Sequence, residues 1–170
     1  MMEVLGHVLP HYNEISKPKK LNILNSFEEV EFVGGAEGYR PGTVLEHEGT
    51  KTLHLYIILK GYIHVYKRLS SLYEDDKLIK INDKLPLRNF IDPQQSNSKD
   101  IGVKVGSFGG QYILVGEESG MLKQDINYTL VAGDNLLVMR YSVRNALQAW
   151  PYETQRQLKQ QSFEKYYWIY

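Results

Sequence analysis

The 170-residue sequence contains no cysteine. That excludes disulfides, thiolate catalysis, cysteine-ligated zinc and iron–sulfur clusters, and a reducing compartment is the simple expectation. There is no surplus of either charge, with 20 Lys+Arg against 20 Asp+Glu. Nucleic-acid binders carry excess positive charge to neutralise phosphates, and membrane-surface modules carry polybasic patches. No nucleic-acid partner is therefore expected. No apolar run approaches the ~18 residues of a spanning helix. The opening Met1-Met2-Glu3-Val4-Leu5-Gly6-His7-Val8-Leu9-Pro10 has an early acid and too short an apolar stretch for a signal peptide. The expectation is a soluble, cytoplasmic protein without membrane insertion.

What is present is ordinary globular material, with 42% hydrophobic and 24% charged residues. The length favours one domain over 1–170, large enough to bury a core without staples. Pro10 and Pro18 punctuate the first twenty residues, so helices there are short. Residues 19–27 read as a helix with Ile23, Leu24 and Phe27 on one face. Val30-Glu31-Phe32-Val33 alternates briefly before Gly34-Gly35, and Tyr39-Arg40-Pro41-Gly42 is turn chemistry. Thr43-Val44-Leu45-Glu46-His47-Glu48 reads as a strand. Leu53-His54-Leu55-Tyr56-Ile57-Ile58-Leu59 and Tyr62-Ile63-His64-Val65-Tyr66 flank Lys60-Gly61 and predict a β-hairpin.

Residues 69–100 read as a long loop, with Leu78-Ile79-Lys80-Ile81 as a possible strand extension. A glycine-dense run over 101–110 and the apolar run Tyr112-Ile113-Leu114-Val115-Gly116 follow, and residues 117–125 read as a second loop. Asn127-Tyr128-Thr129-Leu130-Val131-Ala132 and Asn135-Leu136-Leu137-Val138-Met139 are the last strands, around Gly133-Asp134. Ser142 then opens a helix with Val143, Ala146, Leu147 and Trp150 at helical spacing, and Pro151 breaks it. A final helix from Tyr152 carries Phe163, Tyr166, Tyr167 and Tyr170 at i, i+3, i+4 and i+7. Short strands with glycine-bearing turns predict a mainly β jelly roll or barrel over about 27–140, with helices before it and over about 142–170.

Five blocks, in order, resemble the cyclic nucleotide-binding domain family. They are residues 39–49, 55–66, 105–109, 129–132 and 136–139. The resemblance covers roughly residues 27–150 and implies an eight-stranded jelly-roll β-barrel with flanking helices. It also implies a domain that binds cAMP or cGMP and signals through its C-terminal helices to a separate protein partner or assembly. Family members work in signalling or in cilia, so ciliary or cytoskeletal association is one expectation of place.

In the family a Phe-Gly-Glu sequence opens the phosphate-binding cassette, its Glu holding the ribose hydroxyl, and an Arg before the Thr-Val strand pairs with the phosphate. Aligned on Gly106, Phe108 and Gly109, this chain has Gly110 at the Glu position, followed by Gln111. Before Thr129 it offers Lys123, Asn127 and Tyr128, and no Arg. Losing two charge-assisted anchors costs about three decades of affinity. The expected ligand is thus cAMP or cGMP bound weakly or not at all, with no cofactor. The function read from this is a non-catalytic interaction module with a degenerate pocket. The alternative is a working sensor that uses Gln111 and Lys123.

Other features read blandly. His7 and His11 are four apart, but Pro10 interrupts the helix and no third ligand is evident, so no metal site is predicted. His47, His54 and His64 read as strand histidines, and Glu46 with Glu48 as a solvated strand face. The glycines of 106–110 lack the Gly-Lys-Ser/Thr ending of a nucleotide loop, and Ser107 lacks a nucleophile elbow. No enzyme is expected. The aromatic tail, Phe163 with Tyr166, Tyr167, Trp168 and Tyr170, reads either as core packed back on the barrel or as a partner anchor. In the family an aromatic of the C-terminal helix caps the nucleotide base, and Tyr166, Tyr167 or Trp168 could take that part.

Overall fold

A computed structural model of the chain describes residues 2–33, 41–68 and 101–166. The Gly34-Gly35 stop, Tyr39-Arg40, the 69–100 loop with its strand extension, and Tyr167, Trp168 and Tyr170 lie outside the described residues. The N-terminal helices are α1 (Met2–Val8), a 3-10 turn (Tyr12–Glu14) and α2 (Lys17–Asn25), with Pro18 in the first turn of α2. The strands are β1 (Glu28–Phe32), β2 (Val44–Glu46), β3 (His54–Lys60), β4 (Tyr62–Lys67), β5 (Val103–Gly109), β6 (Ile113–Val115), β7 (Thr129–Ala132) and β8 (Leu136–Ser142). A short helix, α3 (Glu117–Leu122), lies between β6 and β7, where a loop is expected from the sequence. The chain ends with α4 (Val143–Ala149) and α5 (Tyr152–Lys165), separated at Pro151. Ser142 stands at the start of α4 without a side-chain capping bond.

The strands form two antiparallel sheets, ordered β1-β8-β3-β6 and β2-β7-β4-β5. No pairing among the described residues closes them into a continuous barrel. The expected β3–β4 hairpin does not form, because its strands belong to different sheets. β3 pairs with β8 and β6, and β4 with β7 and β5. Gly61, at φ 85°, turns the chain over the corner between the sheets. Beside it, Gly133 to Asn135 carry β7 into β8, and the Gly133 N–H donates to the Tyr62 carbonyl at 2.9 Å. The two crossings lie against each other: a Cβ on Gly61 would stand 2.7 Å from the Asn135 carbonyl oxygen.

The patterning follows from what covers each face. Leu55, Tyr56, Ile57 and Ile58 of β3 are all buried. Tyr56 and Ile58 enter a core between the sheets, with Ile63, Val65, Leu130 and Val138. Leu55 and Ile57 enter a second core with Leu5, Ile23, Tyr141, Trp150 and Leu158, beneath the helices. A strand covered on both faces reads as a continuous apolar run. β4 alternates because its sheet turns one face outward. On that face His64 Nδ1 meets Ser107 Oγ at 2.8 Å, a directly opposed cross-strand pair.

Glu46 and Glu48 are not on a solvated face, as the sequence suggests, but are 4% and 7% exposed. Glu46 accepts the N–H groups of Leu53 and His54 and the Tyr56 hydroxyl, and Glu48 accepts the Arg68 N–H. Both serve backbone donors left open where strands end. His7 stacks on Tyr112, and His11, in a left-handed conformation, meets Glu14 at 2.9 Å. His54 and His64 lie on strands, and His47 falls in the turn after β2.

Candidate functional site

β6 ends at Val115 inside the intersheet core, and the chain then turns into α3 through Gly116 at φ 92°. Only glycine suits that passage, since a Cβ would stand 2.9 Å from the His54 carbonyl oxygen. Glu117 and Glu118 follow, 4% and 2% exposed. Buried carboxylates need partners. Glu117 takes the Lys165 ammonium on one oxygen at 2.7 Å and the Tyr166 hydroxyl on the other at 2.9 Å. Lys165 also donates to the Leu114 carbonyl and lies over the rings of Phe108 and Tyr166. Glu118 accepts the Ser119 hydroxyl at 2.6 Å. Burial raises its pKa, the Ser119 bond opposes the rise, and the neighbouring Glu117 charge adds to it.

Tyr166 completes the cluster. It follows the last residue of α5, is 0% exposed, and belongs to the intersheet core. Its ring stacks on Tyr128 with centroids 5.7 Å apart and an interplanar angle of 9°. The edge contact with Phe108 is at 5.3 Å. Its hydroxyl accepts the Gly116 N–H at 3.0 Å while donating to Glu117. Burial, with the Glu117 charge, holds the Tyr166 pKa well above that of a free phenol, so the proton it donates stays in place. Tyr128 is raised for the same reasons, burial first and the Glu118 charge next. Its hydroxyl is buried, with Ser119, Glu118 and Tyr166 as the polar groups beside it.

The residues singled out in the sequence fall into three places. Phe108, Tyr128 and Tyr166 meet here. Thr129 is buried nearby on β7, its hydroxyl accepting the Glu48 N–H. Gly106, Gly109, Gly110 and Gln111 lie on β5 and in the turn to β6. No helix opens at Gly109-Gly110. Gly109 is a glycine for packing, because the Tyr62 ring lies on it and a Cβ would meet that ring at 2.1 Å. Gln111 sits at the opposite end of β6 from α3. Lys123 is exposed in a left-handed turn after α3, and Asn127 precedes β7. Among the tail aromatics, Phe163 is 62% exposed while Tyr166 is fully buried. The described part of the stripe does not share a face, because the helix ends at Lys165.

Gly116, Glu117 and Lys165 are the site residues that sequence reasoning passed over. Their available signal was a Gly-Glu pair directly after the apolar Ile113-Leu114-Val115.

No protein-family model and no curated protein matches the chain. Solved structures do. The regulatory subunit of a cAMP-independent protein kinase A from Trypanosoma cruzi, bound to guanosine, superposes with a TM-score of 0.54 at 18% identity, over 87% of this chain and 39% of that one. The regulatory domain of Toxoplasma gondii protein kinase A with cAMP gives 0.61 at 11% identity, over 96% and 48%. The sensor domain of the transcriptional regulator DNR from Pseudomonas aeruginosa gives 0.58 at 12% identity, over 97% and 91%. The chain thus spans under half the length of these two kinase regulatory chains, 39% and 48%. With two four-stranded antiparallel sheets, helices at both ends and these superpositions, the chain has the fold of the cyclic nucleotide-binding domains.

Proposed function

We propose that this domain is a non-catalytic regulatory module that acts through protein contact, and that its nucleotide-type cleft is closed by its own Tyr166. The supporting observation is the pair of bonds at the Tyr166 hydroxyl, to the Gly116 N–H and the Glu117 carboxylate. In the family that the sequence resembles, the Glu of a Gly-Glu pair holds the ribose hydroxyl of the nucleotide. Gly116-Glu117, opening the short helix between β6 and β7, stands in that register better than Gly109-Gly110. Both of its groups are taken. The stretch before Thr129 supplies no buried cation: Lys123 is exposed, and the buried positions are Ile126 and Tyr128. A cyclic phosphate placed there meets apolar walls and carboxylates. A protein partner finds surface on α5, where Tyr152 and Phe163 are 73% and 62% exposed.

The test is calorimetric titration of the full chain with cAMP and cGMP, paired with thermal melts at millimolar nucleotide. A ligand at 100 times its dissociation constant stabilises by about 2.7 kcal/mol, so a working site would show. No heat and no shift are expected. A dissociation constant in the micromolar range or tighter for either nucleotide overturns the closed cleft and restores the sensor reading.

A further inference from the structure

We infer that the cleft beneath Tyr166 is built to accept a neutral, flat, hydroxylated ring, a nucleoside or a phenol and not a nucleotide, in exchange for Tyr166. This rests on the reading that Tyr166 closes the cleft. The tyrosine is itself the template. It fills the slot with an aromatic plane stacked on Tyr128 and edged by Phe108, and with one hydroxyl that both accepts and donates. Any occupant that replaces it must restore those two bonds, or leave a buried N–H and a buried carboxylate open.

Charge decides the class. Lys165 is the cation on Glu117, and it is the residue next to Tyr166. When the tail leaves, its cation leaves with it. The vacated slot then holds Glu117 with no ammonium and Glu118 beside it, both almost fully buried. The raised pKa of Glu118 already reports a place that penalises negative charge. An anionic phosphate entering there adds like charge at low dielectric, whereas a neutral hydroxyl donates to Glu117 as Tyr166 does.

The experiment compares the full chain with the double variant Lys165→Ala/Tyr166→Ala, which empties the slot of both ring and cation, and with Tyr166→Phe, titrated with adenosine, p-cresol and cAMP and followed by calorimetry and thermal melting. The double variant is expected to bind adenosine and p-cresol at least tenfold more tightly than the unmodified chain, and cAMP at least tenfold more weakly than adenosine. Should the double variant fail to melt cooperatively, Tyr166→Phe decides. It keeps the ring, frees the Gly116 N–H and Glu117, and is expected to gain affinity for adenosine over the unmodified chain. The inference is overturned if the folded variant ignores both neutral probes, or binds cAMP as tightly as adenosine. Binding of cAMP to the unmodified chain overturns the closed cleft instead, so the two failures are read on different proteins.

Discussion

Glu118 and Glu46 are equally hidden, 2% and 4% exposed, yet they do opposite things for the fold. Glu46 gathers three donors, two of them backbone N–H groups. Glu118 lies against Glu117, and burial raises its pKa above the ordinary 4.5 of a glutamate. Between the unfolded and folded values the native state binds more protons than the unfolded chain. Stability is therefore greatest below about pH 4.5 for this group and falls as pH rises through the folded pKa. Glu118→Gln removes the charge and keeps an acceptor for Ser119. The variant should be more stable than the parent in urea melts at pH 7 to 8, and its advantage should vanish on acidification below pH 4.5. Equal midpoints at every pH would contradict this account.

Among the elements, the corner at Gly61 carries the most information about the fold. Its φ of 85° is in the left-handed region, and the Asn135 carbonyl and Leu136 Cα lie 2.7 and 2.9 Å from where a Cβ would be. Gly61→Ala is expected to cost about 2 kcal/mol or more, because conformational strain and a backbone clash act together. Denaturant melts should show the midpoint fall; an unchanged midpoint would mean that the corner yields.

The same corner explains what the sequence could and could not reveal. The strands on either side of Gly61 were legible from their β-branched and aromatic residues, but their pairing was not. A glycine turn between two apolar runs looks the same whether the strands face each other or cross to different sheets. The deciding partners, β7 and β8, lie some seventy residues further along the chain. Helix α3 was hidden for another reason. It has six residues and contains Gly120, which lowers helix propensity. That glycine is needed for packing, since a Cβ there would meet Val143 at 3.0 Å and Leu55 at 3.3 Å. The sequence places the expected cassette at Gly109-Gly110, one strand before α3. Phe108, Tyr128 and Tyr166, singled out in the sequence, lie together in the structure.

At the scale of the whole molecule, the last strands occupy the middle. β8 lies between β1 and β3, and β7 between β2 and β4. The helical layer is likewise joined end to end, with the Thr154 hydroxyl of α5 donating to the Pro10 carbonyl at 2.8 Å. Non-local pairings of this kind slow folding, since loop closure must precede the contacts that reward it. Refolding by stopped-flow fluorescence should fall in the range of roughly milliseconds to seconds typical of non-local β proteins. A microsecond phase carrying the full amplitude would contradict this.

The Glu28–Arg140 register of β1 and β8 also has a consequence during synthesis. β8 emerges from the ribosome more than a hundred residues after β1, its neighbour in the sheet. At roughly 5–20 residues per second, that is a wait of about five seconds or longer. Throughout that interval Val30 and Phe32, later sealed in the intersheet core, have no partner strand to cover them. The nascent chain carries an open strand edge until β8, the strand that covers it, has been made.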